Sequence, residues 1–413
     1  MRILAIESTC DETGASIVQD GQQVLSNIVA TQIDLHAKYR GVVPEIASRA
    51  HIENILPVLH ESLNSAACGL AALDAIAVAH RPGLIGSLLI GVTAAKSLAW
   101  SLNKPLIGID HVHAHLYSVM LKNTKEQLRG TGALISPGEK SPGITAPNAP
   151  PPQEEQLRGT GGLISSPNES AEEKTGTHTV SPPSNSSPIL QPSSLAPLFP
   201  AVGLVCSGGH TALYRLNSWL DVQLIGSTID DAVGEAYDKV AAILGLGYPG
   251  GPIIDRLAQQ GDPKAIDFPR SLMARDSLDF SFSGLKTAVL YNVQGVPTKN
   301  NKPSRVPPPL TDQRLADIAA SFQAACIDVL TRKIKRATEH FNAQSVIIGG
   351  GVSANRGLRS ALANFPIPVF FPAFEYCTDN AAMSAGLAHL YLAAGRVSPL
   401  DLDAITYSQF VET

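Results

Sequence analysis

The stretch MRILAIESTCDETGASIVQDGQQVLSNIVA, residues 1–30, decides the fold. Its apolar runs at 2–7, 14–19 and 23–30 are separated by Ser, Thr, Asp and Gly and read as three short strands joined by turns. A second stretch, AVGLVCSGGHTALYRLNSWLDVQLIG at 201–226, repeats the pattern, with strands expected at 201–206, 211–216 and 221–226. Outward from the first triplet, a helical pattern runs from Pro44 to about Ala67, followed by a strand at 74–79 and a helix at about 87–102. A strand at 105–109 and a helix from about 111 complete that half. After the second triplet come helical segments at about 229–244, 250–260 and 312–341. Then follow a strand at 345–349, a helix at 353–363, a strand at 367–371 and a helix at 378–394. Hairpin strands followed by alternating helix and strand imply a mixed sheet covered by helices.

Two such units in tandem imply an α/β protein of two lobes with a central cleft. The order resembles the duplicated ribonuclease-H-like fold shared by actin, Hsp70 chaperones and sugar kinases. The expected division is an N-terminal lobe over 1–122, completed by about 375–405, and a C-terminal lobe over 199–374. Between them, residues 123–198 are rich in Pro, Ser, Gly, Thr and Asn and lack apolar periodicity. That segment holds a near-duplicate, EQLRGTGALIS from Glu126 and EQLRGTGGLIS from Glu155. One tandem copy cannot build a solenoid core, so the segment reads as a disordered insertion without chemistry of its own.

The 413 residues are 44% hydrophobic and 16% charged, the composition of a globular chain with sizeable cores. No apolar run is expected to span a bilayer and no secretory signal is read at the N-terminus, so a cytoplasmic chain without a membrane partner is expected. The five cysteines are scattered, odd in number and never arranged as C-x-x-C, which argues against disulfides and thiolate zinc sites. With 31 basic and 36 acidic residues the formal charge is −5, so any nucleic-acid partner needs a local basic patch. The best local run is Arg332, Lys333, Lys335 and Arg336; its plainer reading is a solvated helix face.

Asp110-His111-Val112-His113-Ala114-His115 opens a helix. Positions i and i+4 share a helix face, so His111 and His115 can point at one ion while His113 faces elsewhere. Two imidazoles plus a carboxylate from another segment would make an open site suited to Fe(II) or Zn. The alternative is coincidental spacing of surface or core histidines. A candidate carboxylate is Asp379, within Cys377-Thr378-Asp379-Asn380 at the expected start of the last helix, where it could equally be only an N-cap.

Three glycine-bearing turns follow apolar runs: Val205-Cys206-Ser207-Gly208-Gly209-His210, Gly247-Tyr248-Pro249-Gly250-Gly251 before a helix carrying Asp255, and Gly349-Gly350-Gly351 leading to Asn355. Such turns let backbone N–H groups approach an anion, and together they suggest a nucleotide in the cleft; none is a G-K-[ST] phosphate loop. Asp231, Glu235 and Asp238 form an acidic helix start, of which Asp238 can accept from ribose hydroxyls.

These motifs in order resemble the universal tRNA threonylcarbamoyladenosine transferase family. The resemblance is carried by Glu7 to Thr13, Val42-Val43-Pro44-Glu45 with Ala47-Ser48-Arg49, the histidine pair, Ser207 to Thr211, and Tyr248 to Gly251. Asp279 to Thr287, Gly349 to Arg356 and Cys377 to Met383 complete it. It implies transfer of threonylcarbamoyl from threonylcarbamoyl-AMP to N6 of the adenosine beside the anticodon, in tRNAs reading codons that start with A, with release of AMP. It implies metal ligands His111, His115 and Asp379 around one divalent ion, Fe2+ before Zn2+. An adenylate pocket would use Val205, Cys206, Ser207, Gly208, Gly209, Asp238, Gly251, Asp255 and Asn355. Asp11 and Glu12 would lie at the reaction centre. Implied partners are tRNA, a paralogous inactive subunit and a small P-loop ATPase.

This chain departs from the family pattern in three places. His113 stands where a Glu is common, Ala79-His80-Arg81-Pro82-Gly83 replaces a T-x-G-P-G turn, and residues 123–198 replace a short connection. Arg81 is a candidate phosphate contact. Competing readings are a metalloprotease, which needs a glutamate inside the histidine motif; a sugar-kinase-like ATPase; and an inactive scaffold, which the complete metal triad opposes.

Overall fold

The computed structural model describes residues 1–123, 196–273, 277–297 and 307–408. The near-duplicate, and the expected disordered insertion apart from residues 123 and 196–198, lie outside the described residues. The first half supplies β1 (Arg2–Glu7), β2 (Glu12–Gln19), β3 (Gln23–Thr31), α1 (Ile33–Ala37), α2 (Pro44–Ser65), β4 (Ala75–Arg81), α3 (Ile85–Leu102), β5 (Leu106–Asp110), α4 (His111–Tyr117) and β6 (Lys122–Asn123). The second supplies β7 (Ala201–Cys206), β8 (Thr211–Ser218), β9 (Asp221–Ser227), α5 (Val233–Ile243), α6 (Gly250–Ala258), α7 (Ser283–Gln294), α8 (Asp312–His340), β10 (Ser345–Gly349), α9 (Arg356–Leu362), β11 (Val369–Phe370) and α10 (Ala381–Ala393).

The strands form two sheets, ordered β5-β4-β1-β2-β3-β6 and β11-β10-β7-β8-β9. Apart from β6 the two orders are the same. In each, the first strand pairs antiparallel with the next in sequence and parallel with the strand that follows a helical crossover. That correspondence is the actin-like duplication expected from the two strand triplets. The central strands β4 and β7 are buried along almost their whole length, as strands covered on both faces must be.

The placement of α4 matters most for function. Val112 and Leu116 pack into a cluster with Ala201, Val205, Tyr214 and Ile347 of the second sheet. Ala114 and Tyr117 pack instead with Ile107, Ile109 and the α10 residues Met383 and Leu387. A seven-residue helix is thereby wedged between the two sheets, and all seven of its residues are buried. Burial of Val112 and Leu116 alone contributes roughly 3–6 kcal/mol from apolar transfer.

Two helices, α1 and α7, fall where no element is expected, and three expectations need correction. The last helix begins at Ala381 rather than 378, since Asn380 is the N-cap and accepts from the Met383 amide (3.1 Å). The basic run on α8 is not an open cationic patch: Lys333 is fully buried and donates to the carbonyls of Leu272 (2.5 Å) and Ser277 (3.0 Å). Arg336 also donates to Ser277 O (2.8 Å), so these two cations hold Leu272 and Ser277, while Arg332 pairs along its own helix with Asp328 (2.6 Å). Finally, α3 is long and apolar enough by composition to cross a membrane. In the fold it lies against β4 and α2, and its Lys96 donates to Leu402 O (2.9 Å).

Candidate metal centre

The two imidazoles one helical turn apart on α4 converge on a single carboxylate oxygen. Asp379 Oδ1 lies 3.1 Å from His115 Nε2 and 3.5 Å from His111 Nε2. The His111 and His115 rings meet edge to face with centroids 4.6 Å apart. One donor atom from each of the three residues falls within 4.8 Å of the others, a donor set that fits one metal ion. Asp379 is available because the neighbouring Asn380 caps α10 in its place, which settles the N-cap alternative. His113 turns the other way, with Nδ1 3.2 Å from Tyr391 Oη.

Glu7, at the end of β1, was not singled out as a site residue. Its fully buried carboxylate accepts from the Thr9 amide (3.0 Å) and from His111 Nδ1 (3.2 Å). A proton on Nδ1 would be held by that carboxylate, which would leave Nε2 to ligate an ion once its own proton is displaced, the arrangement that metal-binding histidines commonly use. Burial alone would lower the His111 pKa; the carboxylates of Glu7 and Asp379 outweigh it and push the value up to about 9. For Asp379, burial acts upward, but His111 and His115 hold the carboxyl well below its usual range. His115 goes down, first by burial and then by the charge of His111. The sequence signal for Glu7 was a lone acid ending the apolar run 3–6.

Asp11 and Glu12 occupy the turn into β2. The Cys10 carbonyl of that turn is 3.1 Å from His51 Nε2 of α2 and accepts from Ser87 Oγ of α3 (3.3 Å). Burial, then the charges of Asp11 and Asp379, push the Glu12 carboxyl well above its usual value. The charge of Asp11 contributes, after burial, to the raised values of Asp238 and Tyr248 near the second sheet's glycine loops.

Three glycines of those loops have open space beside them. A Cβ added at Gly208, Gly209 or Gly251 would meet nothing within 4 Å. Val205 and Cys206 end the buried strand β7, and Ser207 closes the turn by accepting from the His210 amide (3.1 Å). Asp238 is lifted first by burial and faces the Gly250 amide (2.7 Å), so it fixes the glycine turn as well as facing the loops. Asp231 and Glu235 are instead engaged by Lys239 (2.7 and 2.8 Å), with Lys286 also on Asp231 (2.8 Å). Asp255 and Asn355 are bridged by Gln323, whose amide donates to Asp255 (3.1 Å) and accepts from Asn355 (2.8 Å). Gln323 lay in an ordinary helical pattern, and nothing in the sequence marked it.

Two glycines hold the centre against the loops. At Gly349 a Cβ would sit 2.3 Å from the His115 carbonyl, and at Gly350, with φ +87°, it would sit 2.4 Å from the Cys206 carbonyl. Only glycine permits β10 to end this close to both the histidine helix and the β7 loop.

The chain matches the family described as tRNA N6-adenosine threonylcarbamoyltransferase, TsaD, over residues 23–141 and 187–386. A relative of that name from Moorella thermoacetica is 42% identical over 407 residues, covering 98% of this chain and 95% of its own. Another of that name, from Symbiobacterium thermophilum, has the same identity and coverage. Among solved structures, HypF of T. kodakarensis superposes with TM-score 0.51 at 13% identity, over 95% of this chain and 48% of its own, a likeness of fold alone. With its two-sheet architecture, converging histidines and these matches over nearly the whole length, the chain belongs to the TsaD family of tRNA N6-adenosine threonylcarbamoyltransferases.

Proposed function

We propose that this chain transfers threonylcarbamoyl from threonylcarbamoyl-AMP to N6 of the adenosine beside the anticodon, in tRNAs reading codons that begin with A, releasing AMP. The observation that carries the reading is the convergence of His111, His115 and Asp379 beside the glycine turns, in a chain of this family. His111, His115 and Asp379 would hold a divalent ion, Fe2+ before Zn2+, which supplies Lewis acidity and orientation for an acyl oxygen. Gly208, Gly209 and Gly251 would let the phosphate and ribose approach the backbone, with Val205, Cys206 and Ser207 shaping the turn. Asp238, Asp255 and Asn355 would position the nucleoside, the last two through Gln323.

An adenine N6 is a poor nucleophile because its lone pair is delocalised into the ring. Asp11 accepts the proton lost from N6 as the new bond forms, and Glu12, held toward its protonated form, donates a hydrogen bond rather than acting as base. AMP leaves as the acyl–phosphate bond breaks. The paralogous partner subunit is assigned to the outer faces of α2 and α3. There Ile52 (63% exposed), Leu56 (71%), Ile85 (49%) and Leu89 (50%) leave apolar surface of the kind that partners cover. A small P-loop ATPase completes the proposed assembly, in the cytoplasm.

The test is nucleoside analysis of tRNA incubated with the adenylate, the protein and its partners. Threonylcarbamoyladenosine and AMP should form in equal amounts, and His111→Ala or Asp11→Ala should suppress both. An Asp11→Ala protein with normal rate and adenylate affinity would remove Asp11 from the mechanism.

A further inference from the structure

β4 carries one extra residue opposite β5: Ala79 pairs with Ile109, but the next pair is Arg81 with Asp110. A bulge of this kind re-aims side chains. Here it sends His80 and Arg81 to two different tasks. His80 grips the C-terminal segment, with Nδ1 2.9 Å from the Asp403 carbonyl and its own carbonyl accepting from the Ile405 amide (2.9 Å). Arg81 turns to Asp110, its Nε 3.3 Å from Oδ2. It is therefore engaged within the protein rather than presented as a phosphate contact.

Asp110 is 2% exposed and both its oxygens are used. Oδ1 caps α4, accepting from the amides of Val112 (3.0 Å) and His113 (3.3 Å). Oδ2 takes Arg81 and the Ser408 hydroxyl (2.7 Å). Ser408 belongs to a segment laid along the sheet edge, where Ser398 donates to the Leu106 carbonyl (2.8 Å) and accepts from the Gly108 amide (2.9 Å). Three separate chain segments thus meet on the one carboxylate from which the histidine helix starts.

A seven-residue helix has little rotational stiffness of its own, and one residue of slip turns its side chains by about 100°. We infer that Arg81 and Ser408, acting through Asp110, are positioning residues that set the rotation of α4 and so the convergence of His111 and His115. The C-terminal segment is then a structural part of the metal centre. This rests on the metal reading of those histidines.

The experiment titrates the full-length protein with Co2+, following visible absorption, and measures AMP binding in parallel. Arg81→Met and Ser408→Ala should each weaken Co2+ binding, by roughly tenfold for the arginine as for other residues that orient ligands. Both should alter the absorption band while leaving AMP affinity within about twofold, and Arg81→Lys should recover part of the loss. The double variant should lose less than the product of the two single losses, because both groups serve Oδ2. Should Arg81→Met fail to fold, Ser408→Ala carries the same comparison alone. Wild-type Co2+ affinity in both variants, with binding abolished by His111→Ala, overturns the positioning role and leaves the metal reading standing. Co2+ binding that His111→Ala does not change overturns both.

Discussion

Replacing Glu7 with Gln is the sharpest single perturbation of the centre, because it keeps the volume and changes only one oxygen. The wild-type carboxylate accepts two hydrogen bonds, from Thr9 N–H at 3.0 Å and from His111 Nδ1 at 3.2 Å, with no exposure to water. A glutamine can accept only one of them through its oxygen. If that oxygen faces His111, the NH2 group opposes the Thr9 amide, and two buried donors confront each other at a cost of about 1–3 kcal/mol. If it faces Thr9, the NH2 donates to His111 Nδ1, and the imidazole must carry its proton on Nε2, the nitrogen aimed at Asp379. Either way the ligating tautomer is penalised. Metal affinity should fall by about 10–100-fold, or roughly 1.4–2.8 kcal/mol. The assay is Zn2+ or Co2+ competition against a chromophoric chelator, with thermal denaturation as a control on folding. Affinity within twofold of wild type in a folded Glu7→Gln protein would refute the argument that Glu7 selects the tautomer.

Further outcomes follow from individual contacts. Gly349→Ala places a methyl 2.3 Å from the His115 carbonyl, so α4 must shift; metal binding and transfer should fall together at a stability cost of about 1–3 kcal/mol, read by chemical denaturation. Asn380→Ala removes the α10 cap and the 2.8 Å bond from Nδ2 to the Thr378 carbonyl. It should cost roughly 1 kcal/mol of stability and weaken metal binding, because the Asp379 turn loses its anchor. Asp231→Asn removes the shared partner of Lys239 and Lys286, at a cost of roughly 1 kcal/mol at neutral pH. Burial acts upward on Asp231, but the two lysines hold its carboxyl below the usual 3.8, so its stabilisation is full above that pH and is lost as pH falls through the depressed value. The wild-type advantage in melting temperature should therefore shrink in acid; an advantage that persists to low pH would contradict the assignment.

How much of this was legible in the sequence depends on the range of the interaction. The strand triplets and the shared face of His111 and His115 are local patterns of period two and of one helical turn, and both appear in the structure. Asp379 was legible only as a candidate, because its partners stand 264 and 268 positions away and a cap was an equally good local explanation. Glu7 shows as a lone acid ending an apolar run, but its pairing with His111 does not, and Gln323 looks ordinary in its own element; their roles come from what the fold brings opposite them. The α8 cations misled for the same reason. A lysine on a helix reads as solvated until a loop carbonyl is seen to occupy its ammonium, as at Lys333. Arg81 shows the converse case, since the bulge that turns it inward cannot be read from Ala79-His80-Arg81 alone.

The most direct test is an anomalous-difference map from a crystal of the metal-loaded protein, collected on either side of the metal absorption edge. The account predicts one strong peak within about 2.0–2.3 Å of His111 Nε2, His115 Nε2 and an Asp379 oxygen. A peak bound elsewhere, or loaded crystals with no density among these three residues, would contradict it.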